Sequence, residues 1–244
     1  MQKPLSRKGY SPVDEPRIAR RSIIFTPKLV TQNPRQLVAH LLCRECEERI
    51  AKFGEVSALA LINRSSTFPL LDHIKLAKPI ETYTGLAVYS GRAMGIDIEA
   101  LVYYALSLAW RGAVKEWKTL KGQTTTASLG SYEEPIRQYL AGEAPAPGNV
   151  CVVLTVCTDD SAQLIVNAPW AVPTPADAYL QIEMFVRGLW FIVLAGDAVP
   201  PGMRSLSLQG SAAGSIPLRD CTEEVVYRNR HFLQSAANDL KPLP

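Results

Sequence analysis

The chain has 244 residues, 47% of them apolar and 20% charged, with a net charge of +3. That apolar content suits one large domain or two modest ones, with no need of disulfide staples. The longest apolar stretches, Ala100 to Trp110 and Leu189 to Gly196, are too short to cross a bilayer as helices, which excludes a helical membrane span.

Charge and cysteine usage carry more information than the totals. Residues 1–35 hold Lys3, Arg7, Lys8, Arg17, Arg20, Arg21, Lys28 and Arg35 against only Asp14 and Glu15, so this stretch carries +6 and the remainder −3. A basic arm of this kind either tracks phosphates or is a solvated, loosely ordered tail. Residues 1–22 lack the apolar core of a signal peptide. The five cysteines (Cys43, Cys46, Cys151, Cys157 and Cys221) are odd in number and scattered. Cys151 and Cys157 fall six residues apart on one predicted strand. They share a face but lie about 20 Å apart and cannot bridge. Reduced thiols and a cytoplasmic protein are the expectation.

Taken in chain order, Ile23-Ile24-Phe25 predicts a short strand ended by Pro27. Asn33-Pro34 is a good helix start, but a helix beginning only at Cys43, after a partly extended 36–42, places the thiols better. Gly54 is then expected to end that helix as its C′ residue. Residues 55–96 read as irregular, with Phe68-Pro69-Leu70-Leu71 as a proline-limited apolar patch. Asp97 caps the best helix, expected from Ile98 to about Leu120 and apolar on nearly every side, as a core helix should be. Ser131 and Glu134 read as a capping box opening a helix that Gly142 ends. Ala144-Pro145-Ala146-Pro147-Gly148 is the natural boundary. Beyond it, Val150–Thr158, Gln163–Ala168, Leu180–Arg187 and Leu189–Ala195 read as strands, the last two joined by a tight Arg187-Gly188 turn. Val225-Val226-Tyr227 fits one more strand or a short helix. The fold class predicted is α+β: a helical N-terminal half with a long buried central helix, and an antiparallel β-rich C-terminal half. The predicted organisation is a basic arm (1–35), a helical region carrying the C-x-x-C (36–143) and a β-rich region packed on it (150–244), or else a single domain over 23–235.

The sharpest motif is Cys43-Arg44-Glu45-Cys46, set before a helix-like run. A zinc knuckle delivers two thiolates this way, but zinc takes four ligands. The remaining candidates are thin. His40 is too near, and His73, beside Asp72, is a weak third ligand. The bland alternative is two reduced thiols packed as small apolar residues. A redox reading of the pair lacks a surrounding βαβ pattern. Trp110-Arg111, with Trp117 nearby, would either stack on a base or be structural, with Arg111 paired to Glu116, Glu133 or Glu134. Asp159-Asp160 reads as a hairpin turn rather than a cation site. Gly210 to Gly214 is no nucleophile elbow, and no dinucleotide fingerprint, Walker A or H-E-x-x-H is present.

Leu41-Leu42-Cys43-Arg44-Glu45-Cys46-Glu47, Gly54-Glu55 and Phe68-Pro69-Leu70-Leu71 together resemble an uncharacterised bacterial family. In it an LLCxxCE…GE…FPL segment follows an HNH/treble-clef-like C-x-x-C and His. The likeness continues through Tyr104 to Arg111 and through Leu129 to Glu143, and more loosely through Phe185 to Pro200. The resemblance implies zinc held by two C-x-x-C pairs. This chain has no cysteine before Cys43 and no histidine before His40, so only Cys43 and Cys46 carry over, as partial or vestigial ligands. The expected function is therefore a non-catalytic, degenerate HNH-like protein. It would associate with DNA or RNA through Lys3, Arg7, Lys8, Arg17, Arg20, Arg21 and Lys28. Two alternatives stand beside it. One is a protein-interaction or structural module of a bacterial defence or mobile-element system, with a protein partner or a homo-oligomer. The other is a metal-dependent nuclease completed by oligomerisation.

Overall fold

The computed structural model describes residues 22–26, 29–33, 41–62, 67–114, 117–118, 124–125, 127–159, 162–163, 166–167, 169–210, 212–225 and 227. Its chain order begins with a two-stranded hairpin, β1 (Ser22–Thr26) and β2 (Leu29–Asn33). A helical run follows: α1 (Arg44–Ile50), one wide turn with π-type bonding over Ala51–Glu55, and α2 (Val56–Leu61). Then come α3 (Pro69–Leu76), β3 (Glu81–Tyr83), β4 (Leu86–Ser90) and α4 (Ile98–Ala113). A two-stranded ribbon pairs β5 (Trp117–Lys118) with β6 (Thr124–Thr125), and α5 covers Glu133–Ala141. The last elements are β7 (Val150–Cys157), β8 (Trp170–Ala171), β9 (Leu180–Val186), β10 (Leu189–Ala195), α6 (Pro201–Ser205) and β11 (Ser215–Arg219).

The fold is α+β. Seven strands form one sheet in the order β3-β4-β11-β7-β10-β9-β8. The sheet is mixed, not the antiparallel sheet expected. β11 pairs antiparallel with β4 but parallel with β7, with Leu218 opposite Val156 and Arg219 opposite Cys157. Nor is the strand content confined to the C-terminal half, because β3 and β4 come from the stretch read as irregular. The sequence hides β11 because Pro217 sits inside it, and a proline usually rules out an inner strand. Here β11 tolerates it because its parallel pairing with β7 begins only at Leu218. Upstream, β7 satisfies its backbone elsewhere: Leu208 N–H donates to Val152 O (2.8 Å), and Val152 N–H donates to the Gln209 carboxamide (2.9 Å).

Strands β7 and β10 are buried along their whole length, as a strand covered on both faces must be. Their side chains alternate between two cores. Val150, Val152, Leu154, Val156, Phe191 and Val193 meet the helices, and Cys151, Val153, Cys157, Trp190 and Ile192 face the other side. Arg187 (φ 47°) and Gly188 (φ 90°) make the tight turn that joins β9 to β10, as expected. By contrast, Gln163–Ala168 is no strand among the described residues. Residues 162–163 are helical, and only Val166 makes a single bridge, to Val186.

The central helix α4 starts where predicted, with the Asp97 carboxylate accepting from Ala100 N–H at 3.0 Å. It ends at Ala113 rather than near Leu120, and the Trp and Thr residues beyond enter the β5–β6 ribbon, which suits their β preference. The capping box does not form: Ser131 lies in a 3-10 turn, and Glu134 turns to Arg137 instead. Gly142 (φ 74°) ends α5 as expected.

Gly54 does not end its helix. It sits in the wide turn between α1 and α2, where that helical run crosses α4. A Cβ there would lie 2.9 Å from Tyr104 N and 3.0 Å from Tyr104 Cα and Tyr103 Cδ1. The missing side chain lets two backbones touch. The crossing is reinforced by Arg111, whose guanidinium donates to Glu55 at 2.7 Å, and by the Phe53–Tyr103 ring pair at 5.9 Å.

Replacing Gly54 with Ala therefore opposes two effects. Alanine gains about 1 kcal/mol of helix propensity, while overpacking costs about 1–3 kcal/mol, and here two of the three contacts are backbone that cannot step aside. We expect Gly54→Ala to be less stable than the parent by about 1 kcal/mol or more, measured by urea unfolding. A variant of equal or higher stability would show that the crossing is loose.

Candidate functional site

Cys43 is the N-cap of α1, in extended conformation (φ −72°, ψ 162°), and its carbonyl accepts from Cys46 and Glu47 N–H, both at 3.0 Å. Cys46 follows one turn later. Cys43 is the exposed member of the pair and Cys46 the buried one, packed into the core beside α4. The two Sγ atoms are 3.1 Å apart and hydrogen-bonded. When Cys43 ionises, the Cys46 thiol becomes the donor to its thiolate. That bond, aided by backbone N–H groups of the helix start, holds Cys43 below the ordinary thiol range. Burial, reinforced by the same bond, pushes Cys46 up to about 12. The pair is thus an accessible thiolate backed by a proton-holding thiol.

A tetrahedral zinc with Zn–S near 2.3 Å would hold two thiolates about 3.8 Å apart. Cys43 and Cys46 need to open by less than 1 Å to accept it. Among the described residues no third histidine, cysteine or acid gathers with them. His73 is exposed on α3 and is not brought to the pair. His40 and the basic residues Lys3, Arg7, Lys8, Arg17, Arg20, Arg21 and Lys28 lie outside the described residues.

Trp110 and Arg111 fall on α4. Trp110 is buried, and its indole N–H finds no acceptor among the described residues. Arg111 pairs with Glu55 and also donates to Ser107 O at 3.3 Å, while Glu116 lies outside the described residues. Its guanidinium therefore ties α4 to the thiol-bearing helical run.

The structure also assembles a group that sequence reading passed over. Cys157, Asp159 and Cys221 place their donor atoms within 4.8 Å of one another, an arrangement that could hold a metal ion. Asp159 is not in a hairpin turn between consecutive strands, since the neighbours of β7 are β10 and β11. Its Oδ1 accepts from Ala162 N–H at 2.7 Å and its Oδ2 from Cys221 N–H at 3.1 Å. Hydrogen bonding to Cys221 and burial together drive the Cys157 thiol far above its ordinary range. The local signal was Cys-x-Asp at a strand end. Its third member lies more than sixty residues on, and only the β7–β11 pairing makes the two neighbours.

No helix among the described residues is long and apolar enough to cross a membrane. No family model matches the chain, and searches of curated proteins and of solved structures returned no significant match.

Of the five cysteines only Cys43 is exposed, and Cys46, Cys151 and Cys157 all have their ionisation suppressed by burial. Iodoacetamide on the native chain near neutral pH should therefore label one thiol about tenfold or more faster than the rest, since the thiolate is the nucleophile. Cys43→Ser should remove that fast phase. Two or more thiols labelled at matching rates, read by peptide mass mapping, would contradict the asymmetry.

Proposed function

We propose that this chain is a non-catalytic, degenerate HNH-like protein that associates with nucleic acid through its basic N-terminal residues, with Cys43 and Cys46 as the remaining half of a zinc knuckle. The observation that carries the reading is a pair of thiols presented by a helix start directly behind the most basic stretch of the chain. A knuckle hands two thiolates from a turn to the first helical turn, and Cys43 as extended N-cap with Cys46 inside the helix has that form. Hydrolytic cutting needs a metal with an open position and a base beside it. His73, the single histidine among the described residues, stands exposed on another helix, which favours binding over cleavage. Contacts from Lys3, Arg7, Lys8, Arg17, Arg20, Arg21 and Lys28 to phosphates would be independent of base sequence.

One observation favours a second reading. The 3.1 Å sulfur separation and the opposed ionisation of the two thiols suit thiol–disulfide exchange. The Cys43 thiolate attacks one sulfur of a partner disulfide and releases the other as thiolate. Cys46 then gives up its proton, attacks Cys43 Sγ and releases the second partner sulfur. The chain is oxidised and the partner reduced.

Filter binding decides the first reading. Retention of single- or double-stranded nucleic acid should be insensitive to sequence and fall with salt, with a log–log slope of about −5 to −6 if all seven residues meet phosphates. Replacing Arg17, Arg20 and Arg21 with Ala should flatten that slope by about 2–3. No retention at low salt removes this reading. Zinc bound through Cys43 and Cys46 supports the knuckle, whereas a chain with no zinc at these two thiols, whose Cys43–Cys46 bond forms reversibly in glutathione buffer, supports exchange.

A further inference from the structure

β7 and β11 run side by side in parallel, and each delivers a cysteine at the same end of the sheet. Cys157 is the last residue of β7, opposite Arg219, and Cys221 follows β11 by two residues. Both side chains are fully buried, at 0% exposure. Asp159 lies two residues past Cys157, half-buried, and reaches across to Cys221. We propose that Cys157, Asp159 and Cys221 form a binding site for a thiophilic divalent cation, with zinc as the natural occupant, independent of Cys43 and Cys46.

Four features carry this inference. The donor set is two sulfurs and one carboxylate oxygen, and thiolates select zinc and its neighbours over magnesium or calcium. The spacing fits. Zn–S near 2.3 Å and Zn–O near 2.1 Å place donors about 3.5–3.8 Å apart, and the three atoms already lie within 4.8 Å of one another. The carboxylate is held in place: its Oδ1 accepts from Ala162 N–H and its Oδ2 from Cys221 N–H. Finally, a cation lies close by. A dication with two thiolates and a carboxylate carries a net −1, and the Arg219 guanidinium, itself paired with Glu224, acts on Cys157 from the paired position of β11.

Without a cation, the bond to Cys221 and burial hold the Cys157 thiol protonated. A divalent ion reverses that balance, displacing both protons as it binds. Access runs through Asp159, which is half-buried between exposed Thr158 and exposed Asp220. The three protein donors leave the fourth position of a tetrahedral ion to water. The ion would pin the end of β7 to the segment after β11, closing a long loop of chain.

The test uses the full chain, reduced, with Cys43→Ser and Cys46→Ser installed so that the helix-start thiols contribute nothing. Titration with Co²⁺ should give one ion per chain with thiolate-to-cobalt charge-transfer absorption. Zn²⁺ should displace it and, at about a hundredfold excess over Kd, raise Tm by about 5–10 °C. Adding Cys157→Ala and Cys221→Ala should abolish the absorption, and Asp159→Asn should weaken Co²⁺ binding about tenfold or more. Circular dichroism on each variant confirms that the fold is retained, as expected for cysteine-to-alanine changes at small buried sites. Absence of charge-transfer absorption in the Cys43→Ser/Cys46→Ser chain overturns the proposal. So does absorption that survives loss of both Cys157 and Cys221.

Discussion

A sixteen-residue helix with almost no polar face cannot meet water, and the rest of the chain is arranged around that constraint. Twelve of the residues in α4 are buried. One side lies on the sheet, where the Tyr104 ring meets Phe191 edge-on at 5.8 Å. Another is covered by α5, fastened by the Tyr103 hydroxyl donating to Leu140 O at 2.6 Å. The last is covered by the helical run that starts at Cys43, and this cover is the closest because Gly54 offers no Cβ. Burying a helix on all sides contributes the bulk of its stabilisation through apolar area. Here it also fixes where the thiols sit. Cys46 packs toward α4 while Cys43 stays at the rim, and the bond between the two thiols, together with the burial of Cys46, sets their acidities apart.

The two cysteine groups show how position in the fold decides chemistry. At the helix start, the Cys46 thiol and the backbone N–H groups of Cys46 and Glu45 favour a negative sulfur. At the end of β7, the same side chain is sealed from water beside another thiol and a carboxylate, and these outweigh the opposing pull of Arg219, so ionisation is penalised. The first sulfur is accessible and the second is sealed from solvent.

What was legible in the sequence was local. The Asp97 cap, the Arg187-Gly188 turn, the left-handed Gly142 and the shared face of Cys151 and Cys157 on β7 each depend on residues within a few positions of one another. What was not legible depended on partners far along the chain. Gly54 carries the ordinary mark of a helix end, and only the approach of Tyr104 turns it into a crossing point. Pro217 argues against a strand until β7 is seen to be paired by Leu208 and Gln209 upstream of it. Glu55 was invisible as the partner of Arg111 because fifty-six residues separate them. The Cys157 group failed to register for the same reason, since its third member is supplied by a strand that the proline concealed.

Strand β11 joins the β3–β4 hairpin to β7 and the strands beyond it, and it is the last strand among those described. A nascent chain emerging from the ribosome can pair β3 with β4, and β7 with β10 and β9, while these remain two unconnected platforms. The continuous sheet can exist only after residue 219 has been synthesised. A product truncated before that point retains open strand edges on both halves.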